Sequence, residues 1–405
     1  MAEKYYSEIK DVRLISNQYV LVIPGWYPTW QDQFNGDFNQ RQVKATGLYM
    51  QQVVLYIVKD QTETLRRIET RYKQLTENIV EITVMYPAKR NKWFDAVYSN
   101  LMYVRLLYTY ADIIQTRWGK PLLIHSYIVI RGGLGGMLLA KKWQIPFILS
   151  EHWSIYYPED PGFLLKRNFM FRLAVKMIFR NVKRFLPVTD KLKKQVYTLV
   201  KPISATIIPN VVETEFFFYR EDSAEKVQFK FVHVSNMVYP KNPQGLLRGF
   251  KKFSELQSGS CLWMVGAYPR EVLKYAREIG LDENTVHFTG EVSYRQVAEI
   301  LIVSQSLVLF SRYESLPCVI LEALCCGLPV ISTNAGGIPE VINEDNGILI
   351  ESEDEQQLTV AFTQMFATYK KYNRKKISLS ATSLFSYYCV GGSINAVYQE
   401  IRNDS

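Results

Sequence analysis

Short β-branched and aliphatic runs alternate with helical stretches twice along this chain, and that alternation restricts the fold more than any other feature. In the first half, YVLVI (19–23), VVLYIV (53–58), IVEITVMY (79–86), LLIHS (122–126) and FILSEH (147–152) read as strands. In the second half the same reading gives KFVHVSN (230–236), CLWMVG (261–266), VHFTG (286–290), SLVLFS (306–311) and PVISTN (329–334). Apolar strands separated by helices imply parallel sheets covered on both faces. A chain of 405 residues also exceeds what one core usually organises. We therefore expect an α/β protein of two doubly wound, Rossmann-like domains, residues 1–205 and 206–383. The hinge is expected in ATIIPNVVETEFF (205–217), where Pro209 and Asn210 punctuate the chain. No short-period repeat or low-complexity tract appears.

Apolar residues make up 48% of the chain and charged residues 21%, which excludes a disordered class. The five cysteines are odd in number, lie mostly in apolar runs and form no CxxC pair, as expected in a reducing cytosol. The opening MAEKYYSEIK lacks a basic start followed by an apolar core, so no secretion signal is expected. Residues 121–140 are apolar but broken by Arg131 and four glycines, and do not read as a membrane span. Charge is uneven. Residues 1–200 hold 29 Lys and Arg against 16 Asp and Glu (+13), whereas residues 201–405 hold 19 against 23 (−4). The excess concentrates in residues 161–201, with eleven basic side chains, one acid and interleaved Phe, Leu, Met and Ile. At helical spacing this suits an anionic lipid surface, the plainer reading being a solvated helix face over a buried apolar side. No nucleic-acid motif accompanies the charge, so no nucleic-acid partner is expected.

Two doubly wound domains turn two sets of strand C-termini toward a common cleft, where such sheets bind ligands. SLVLFSRYE is a strand ending in a polar turn, and SLPCVILEALCCG then reads as a helix. Ser315 is its expected N-cap, Pro317 lies near N1 or N2, and Gly327 stops it. A helix starting there aims free N–H groups and a positive dipole end into the cleft, which favours phosphate. Glu314 and Glu322 enclose seven residues, so they lie roughly 10 Å apart along the axis. They cannot share one proton. They suit two grips on hydroxyls of one extended ligand, against the plainer reading of a cap and a surface helix residue. Lys241, in the Pro/Asn turn of VSNMVYPKNPQG, can neutralise a leaving diphosphate. Gly36, in GWYPTWQDQFNGDFNQRQ, would let backbone approach a ligand closely. Trp26, Tyr27 and Trp30 in the same loop offer sugar-stacking faces or a local hydrophobic cluster. His125 and His152 end strand runs and so lie at the expected cleft edge.

The stretch ESLPCVILEALCCGLPVISTNAGGIPE (314–340) resembles the nucleotide-sugar signature of retaining GT-B glycosyltransferases of family 4 (glycosyl transferases group 1). Weaker similarity covers PNVVETEFF, FVHVSNMVYPKN and WYPTWQDQFNGDFNQRQ. The resemblance implies transfer of a sugar from a nucleotide sugar to a glycan or lipid-linked acceptor, with retention, in bacterial surface polysaccharide synthesis. It implies a GT-B fold with the C-terminal stretch 384–405 returning over the first domain. It assigns Glu322 to the ribose, Glu314 to donor-sugar hydroxyls, and the backbone of Leu316, Pro317, Cys318 and Val319, after Ser315, to the diphosphate. Lys241 matches the family's phosphate lysine, but the usual arginine five residues earlier is Asn236. Either another base such as Arg312 or Arg248 substitutes, or stabilisation of the leaving group is weaker. His125 matches a histidine near the reacting carbon, while Trp26, Glu151 and His152 fall on the acceptor side. No metal or cofactor is expected, since no DxD, CxxC, HxxxH, GxxxxGK[ST] or GxSxG pattern is present. GGLGG (132–136) reads as tight helix packing. The expected location is cytoplasmic, peripheral at the membrane through residues 161–201. A non-catalytic GT-B partner in a polysaccharide assembly complex is the alternative, kept open by Asn236.

Overall fold

Thirteen strands form two separate sheets in the structure, a computed structural model that describes residues 12–88, 92–221 and 228–404. The opening MAEKYYSEIK lies outside the described residues. The first sheet contains β1 (Tyr19–Pro24), β2 (Gln51–Lys59), β3 (Glu69–Thr76), β4 (Ile79–Tyr86), β5 (Leu123–Tyr127), β6 (Phe147–Glu151) and β7 (Arg184–Pro187). Its helices are α1 (Asp37–Gly47), α2 (Lys92–Trp118), α3 (Leu134–Trp143), α4 (Phe169–Phe179) and α5 (Asp190–Leu199). The strand order is β3-β4-β2-β1-β5-β6-β7, parallel except where β3 runs against β4. The second sheet contains β8 (Phe229–Val234), β9 (Ser260–Val265), β10 (Val286–Gly290), β11 (Ser306–Leu309), β12 (Val330–Thr333) and β13 (Gly347–Ile350), in the order β10-β9-β8-β11-β12-β13. Around it lie α6 (Pro243–Leu256), α7 (Arg270–Glu278), α8 (Tyr294–Val303), α9 (Cys318–Cys325), α10 (Glu355–Thr368) and α11 (Arg374–Phe385), followed by α12 (Tyr387–Asn403).

The central strands match the apolar runs of the sequence because both their faces are covered. Every residue of β1, β5 and β6 is buried. Three strands leave a fainter mark. β3, ETRYKQLT, is a half-exposed polar edge strand, while RFLP and GILI have only four residues each. The glycines of GGLGG serve close packing: a Cβ on Gly135 would overlap the Tyr103 hydroxyl, and one on Gly136 would overlap Ser126 Oγ.

In both sheets the chain winds outward from an inner strand in two directions. β1 lies between β2 and β5, and β8 between β9 and β11. The loops at these reversals leave a crevice beyond the strand C-termini, the usual ligand position in such sheets. Residues 204–208 still bond to the edge strand β7, and Ile208 and Val211 pack in the first domain's core. Phe217, by contrast, packs on Tyr294 of α8. The chain thus crosses between 208 and 217. α12 returns to the first domain, burying Val390, Ile394, Val397, Tyr398 and Ile401 with Val20, Val22, Val43 and Val54. Gly391 permits the close crossing, since a Cβ there would overlap the Ala45 carbonyl of α1. Among the described residues, no helix is long and apolar enough to cross a membrane.

Candidate functional site

The α9 terminus starts later than the sequence predicts. Ser315 is not its N-cap; the helix runs Cys318–Cys325 with Pro317 at that position. A residue before proline is pushed out of the helical region, so Leu316 stays extended and the first turn waits for Cys318. The Ser315 hydroxyl is buried, and its carbonyl accepts Gly337 N–H at 2.8 Å. The glycine pair after β12 is dictated by space. Gly336 has φ +53°, and its Cβ would overlap the Glu314 carbonyl; a Cβ on Gly337 would overlap Thr189 Cγ2 of the first domain. Three residues on, Glu340 accepts the N–H groups of Asp190 and Lys191 at 2.8 and 2.7 Å. A carboxylate from one domain therefore caps the N-terminus of α5 in the other.

Lys241 and Glu314 are brought together. Lys241 Nζ lies 2.5 Å from Glu314 Oε1, which also accepts from Ser311 Oγ at 2.7 Å. Asn236 is exposed at the start of the same loop. Neither expected substitute for the missing arginine aims its charge at this pair. Arg312 bonds Glu353 at 2.9 Å and the Tyr239 carbonyl at 2.6 Å, so its guanidinium braces the loop. Arg248 is spent on Glu355 and Tyr275 between α6, α10 and α7.

Glu322 faces a partner that the sequence reading did not foresee. Its Oε1 accepts from Arg41 Nη1 of α1 at 2.7 Å and from the Tyr294 hydroxyl at 2.7 Å, and Arg41 also meets that hydroxyl. Arg41 and Glu322 are 6% and 4% exposed, so this ion pair joins the two domains out of water. Burial opposes the guanidinium charge, but Tyr294, Cys318, Asp37 and Glu322 outweigh it and hold the pKa above its ordinary value. Burial pushes the Cys318 thiol up to about 12, leaving it inert. Asn39, Arg41 and Gln42 are all buried on α1, a polar face that hydropathy assigns to solvent.

The first-domain candidates divide. Gly36, with φ +69°, admits the Trp26–Tyr27 peptide, which any Cβ there would strike; its close approach is internal rather than toward a ligand. Tyr27 is buried on Glu81 at 2.6 Å and Trp30 lies under Arg71, so neither offers a free face toward the cleft. Trp26 remains half-buried, edge-on to Trp153 at 5.2 Å and Phe38 at 6.4 Å. His125 does not reach the cleft. It is fully buried, Nδ1 meets the Tyr398 hydroxyl at 2.6 Å, Nε2 meets Ser150 Oγ at 2.8 Å, and burial lowers its pKa to about 3. Glu151 is an internal brace. It accepts from Val129 N–H, His152 N–H, Trp153 N–H and the Tyr156 hydroxyl at 2.9 to 3.0 Å, and burial raises its pKa to about 7 against those bonds.

Of the two candidate histidines, His152 keeps an open nitrogen. Its Nδ1 lies 3.0 Å from Asn210 Oδ1, and Nε2 is buried without a partner. Burial lowers its pKa to about 3, so it is neutral. Asn210 Nδ2 in turn donates to the Leu316 carbonyl at 2.8 Å, just before α9. Asn210 stands in the segment read as a hinge, and only its spatial neighbours mark it as part of the site.

Two Rossmann-like sheets facing a crevice, with a helix N-terminus and paired carboxylates on one wall and a returning C-terminal helix, define a GT-B protein. Solved structures agree. Sucrose-phosphate synthase from Thermosynechococcus elongatus superposes with a TM-score of 0.77 at 16% identity, covering 96% of this chain and 100% of that one. Anabaena HepE, solved in complex with UDP, gives 0.70 at 14% identity, covering 95% and 100%. Residues 228–368 match the model for glycosyl transferases group 1. N-acetyl-alpha-D-glucosaminyl L-malate synthase of Bacillus anthracis is 32% identical over 178 residues, 41% of this chain and 46% of that protein. The chain thus spans about half the length of that relative.

Proposed function

We propose that this chain moves a sugar from a nucleoside diphosphate sugar to a glycan or lipid-linked acceptor, with retention of anomeric configuration. One observation carries the reading: Lys241, in the loop after β8, meets Glu314, in the loop after β11, at the topological switch of the second sheet, and α9, which follows, carries Glu322. The diphosphate lies against the α9 terminus and Lys241, which stabilise the charge that develops on departure. Glu314, exchanged from its lysine, accepts donor-sugar hydroxyls, and Glu322 accepts those of the ribose as Arg41 gives way. His152 Nε2 accepts one further sugar hydroxyl. Both carboxylates are occupied with donor hydroxyls in this reading, and neither is assigned as a nucleophile. The acceptor hydroxyl attacks the front face through an oxocarbenium-like state. As its oxygen bonds to the anomeric carbon, the carbon–phosphate oxygen bond breaks and the hydroxyl proton passes to the departing phosphate. No metal is assigned a role. NMR of the product tests this: a retained anomer is expected, and an inverted linkage overturns the mechanism.

The basic segment gives the acceptor side a membrane-facing surface in this reading. On α4, Phe169 and Met170 are 66% and 71% exposed, Leu173 and Met177 are exposed as well, and so is Leu165 just before the helix. Lys166, Arg167, Lys176 and Arg180 are exposed in the same stretch. Apolar side chains rimmed by cations suit an anionic bilayer interface. Phe171 on the same helix packs edge-on against Trp153, linking α4 to the cleft. We place the protein at the cytoplasmic membrane face, in surface polysaccharide assembly. Failure to sediment with anionic liposomes at low salt would remove this placement. The non-catalytic alternative draws on the exposed Asn236; donor binding without acceptor-dependent nucleotide release would favour it.

A further inference from the structure

We propose that Asn210 is a positioning residue that fixes the tautomer of His152 and does so only when the two domains are closed on each other. The proposal rests on the reading of His152 as a hydroxyl-binding residue and adds the device that sets its polarity.

The Leu316 carbonyl can only accept, so the Asn210 atom 2.8 Å away must be the amide nitrogen. That orientation leaves the Asn210 carbonyl oxygen facing His152 Nδ1 at 3.0 Å. An amide oxygen can only accept, so Nδ1 carries the ring hydrogen. A neutral imidazole has one N–H, and Nε2 is therefore a bare lone pair. This nitrogen is buried beside Phe38, whose ring centre lies 4.9 Å from that of His152, and among the described residues no donor satisfies it. A buried lone pair of this kind calls for a donor from outside the chain. A sugar hydroxyl supplies one.

The anchor of this relay lies in the other domain. Asn210 itself is held on the first domain: Gln42 donates to the Pro209 carbonyl at 2.9 Å, and Ile208 and Val211 are buried there. Leu316 belongs to the loop that presents the α9 terminus. When the cleft opens, the Leu316 carbonyl withdraws, the amide is free to turn over, and Nδ1 loses its fixed acceptor. Hydroxyl acceptance at Nε2 is thus coupled to the approach of the diphosphate-binding helix terminus.

The test is the tautomer itself, read by long-range proton–nitrogen NMR on the full chain labelled at its four histidines, with His152 assigned through His152→Gln. In the wild type, Nδ1 should be protonated and Nε2 should show the shift of an unprotonated ring nitrogen. Asn210→Leu, which removes both bonds at similar volume, should give mixed tautomers and lower kcat about tenfold, the cost of a lost orienting hydrogen bond, with nucleoside diphosphate affinity unchanged. Gly337→Val, whose side chain would strike Thr189 of the first domain and the Ser315 carbonyl beside Leu316, pushes the Leu316 loop off that domain and should also mix the tautomers. A wild-type Nε2–H, or an unchanged tautomer in a folded Asn210→Leu protein, overturns the proposal. The wild-type spectrum decides even if the variants do not fold. Loss of donor binding with the tautomer intact would instead count against the transferase reading alone.

Discussion

Replacing Arg41 by Met isolates the ion pair that joins the domains. Met keeps the apolar stem of the side chain and removes its charge. Glu322, 4% exposed, would then keep Tyr294 as its hydrogen-bond donor at 2.7 Å and lose the guanidinium. Stranding one member of a buried pair costs about 3 to 5 kcal/mol, because the remaining charge has no compensation. A domain of this size shifts by about 2 to 4 °C per kcal/mol, so the lower figure lowers the melting temperature by roughly 6 to 12 °C. The double variant Arg41→Met, Glu322→Gln removes the stranded charge and should recover at least half of that loss, which calorimetry on all four proteins measures as a coupling energy. A single variant within about 0.5 kcal/mol of wild type, the scatter of ordinary surface substitutions, would refute the buried cross-domain pair.

Further expectations follow from the same geometry. Lys241→Ala should lower kcat by about 100- to 1000-fold, as loss of a donor to developing charge does, while nucleoside affinity changes little; an equal loss in both would make Lys241 a plain binding residue. His125, His152 and His233 are buried neutral with pKa values lowered to about 3, 3 and 4, so the unfolded chain takes up protons first as pH falls below 6.5. Their stabilisation is complete above 6.5 and each loses about 1.4 kcal/mol per pH unit between 6.5 and its folded value, as denaturant titration will show; stability that is flat from pH 7 to 5 contradicts their burial. Glu340→Ala should cost about 1 kcal/mol through the uncapped α5 terminus, and an increased radius of gyration in solution scattering should accompany it.

Much of the architecture was legible because buried parallel strands are apolar on both faces and announce themselves. β3 escaped because an edge strand such as ETRYKQLT has no apolar face to show. At the site, Lys241 and Glu314 were readable as chemistry in post-strand loops, and the structure joins them. Ser315 misled because the restriction on the residue before Pro317 outranks its capping preference. The two histidines show the limit most clearly. Both end strand runs, yet the α12 residue Tyr398 and Ser150 take both nitrogens of His125, while Asn210 takes one of His152. Sequence distances of 273 and 58 residues separate the His125–Tyr398 and His152–Asn210 partners, so local pattern carries no trace of either. Arg41 was hidden for the same reason: its partner lies in the other domain.

The most direct test of the account is donor binding, measured as thermal stabilisation against UDP-, GDP- and ADP-sugars for wild type and Glu322→Ala. A ligand at a hundredfold excess over Kd stabilises by about 2.7 kcal/mol, well within detection. The account predicts a shift with one nucleotide family that Glu322→Ala abolishes. No shift with any donor, or one that survives the loss of Glu322, would contradict it.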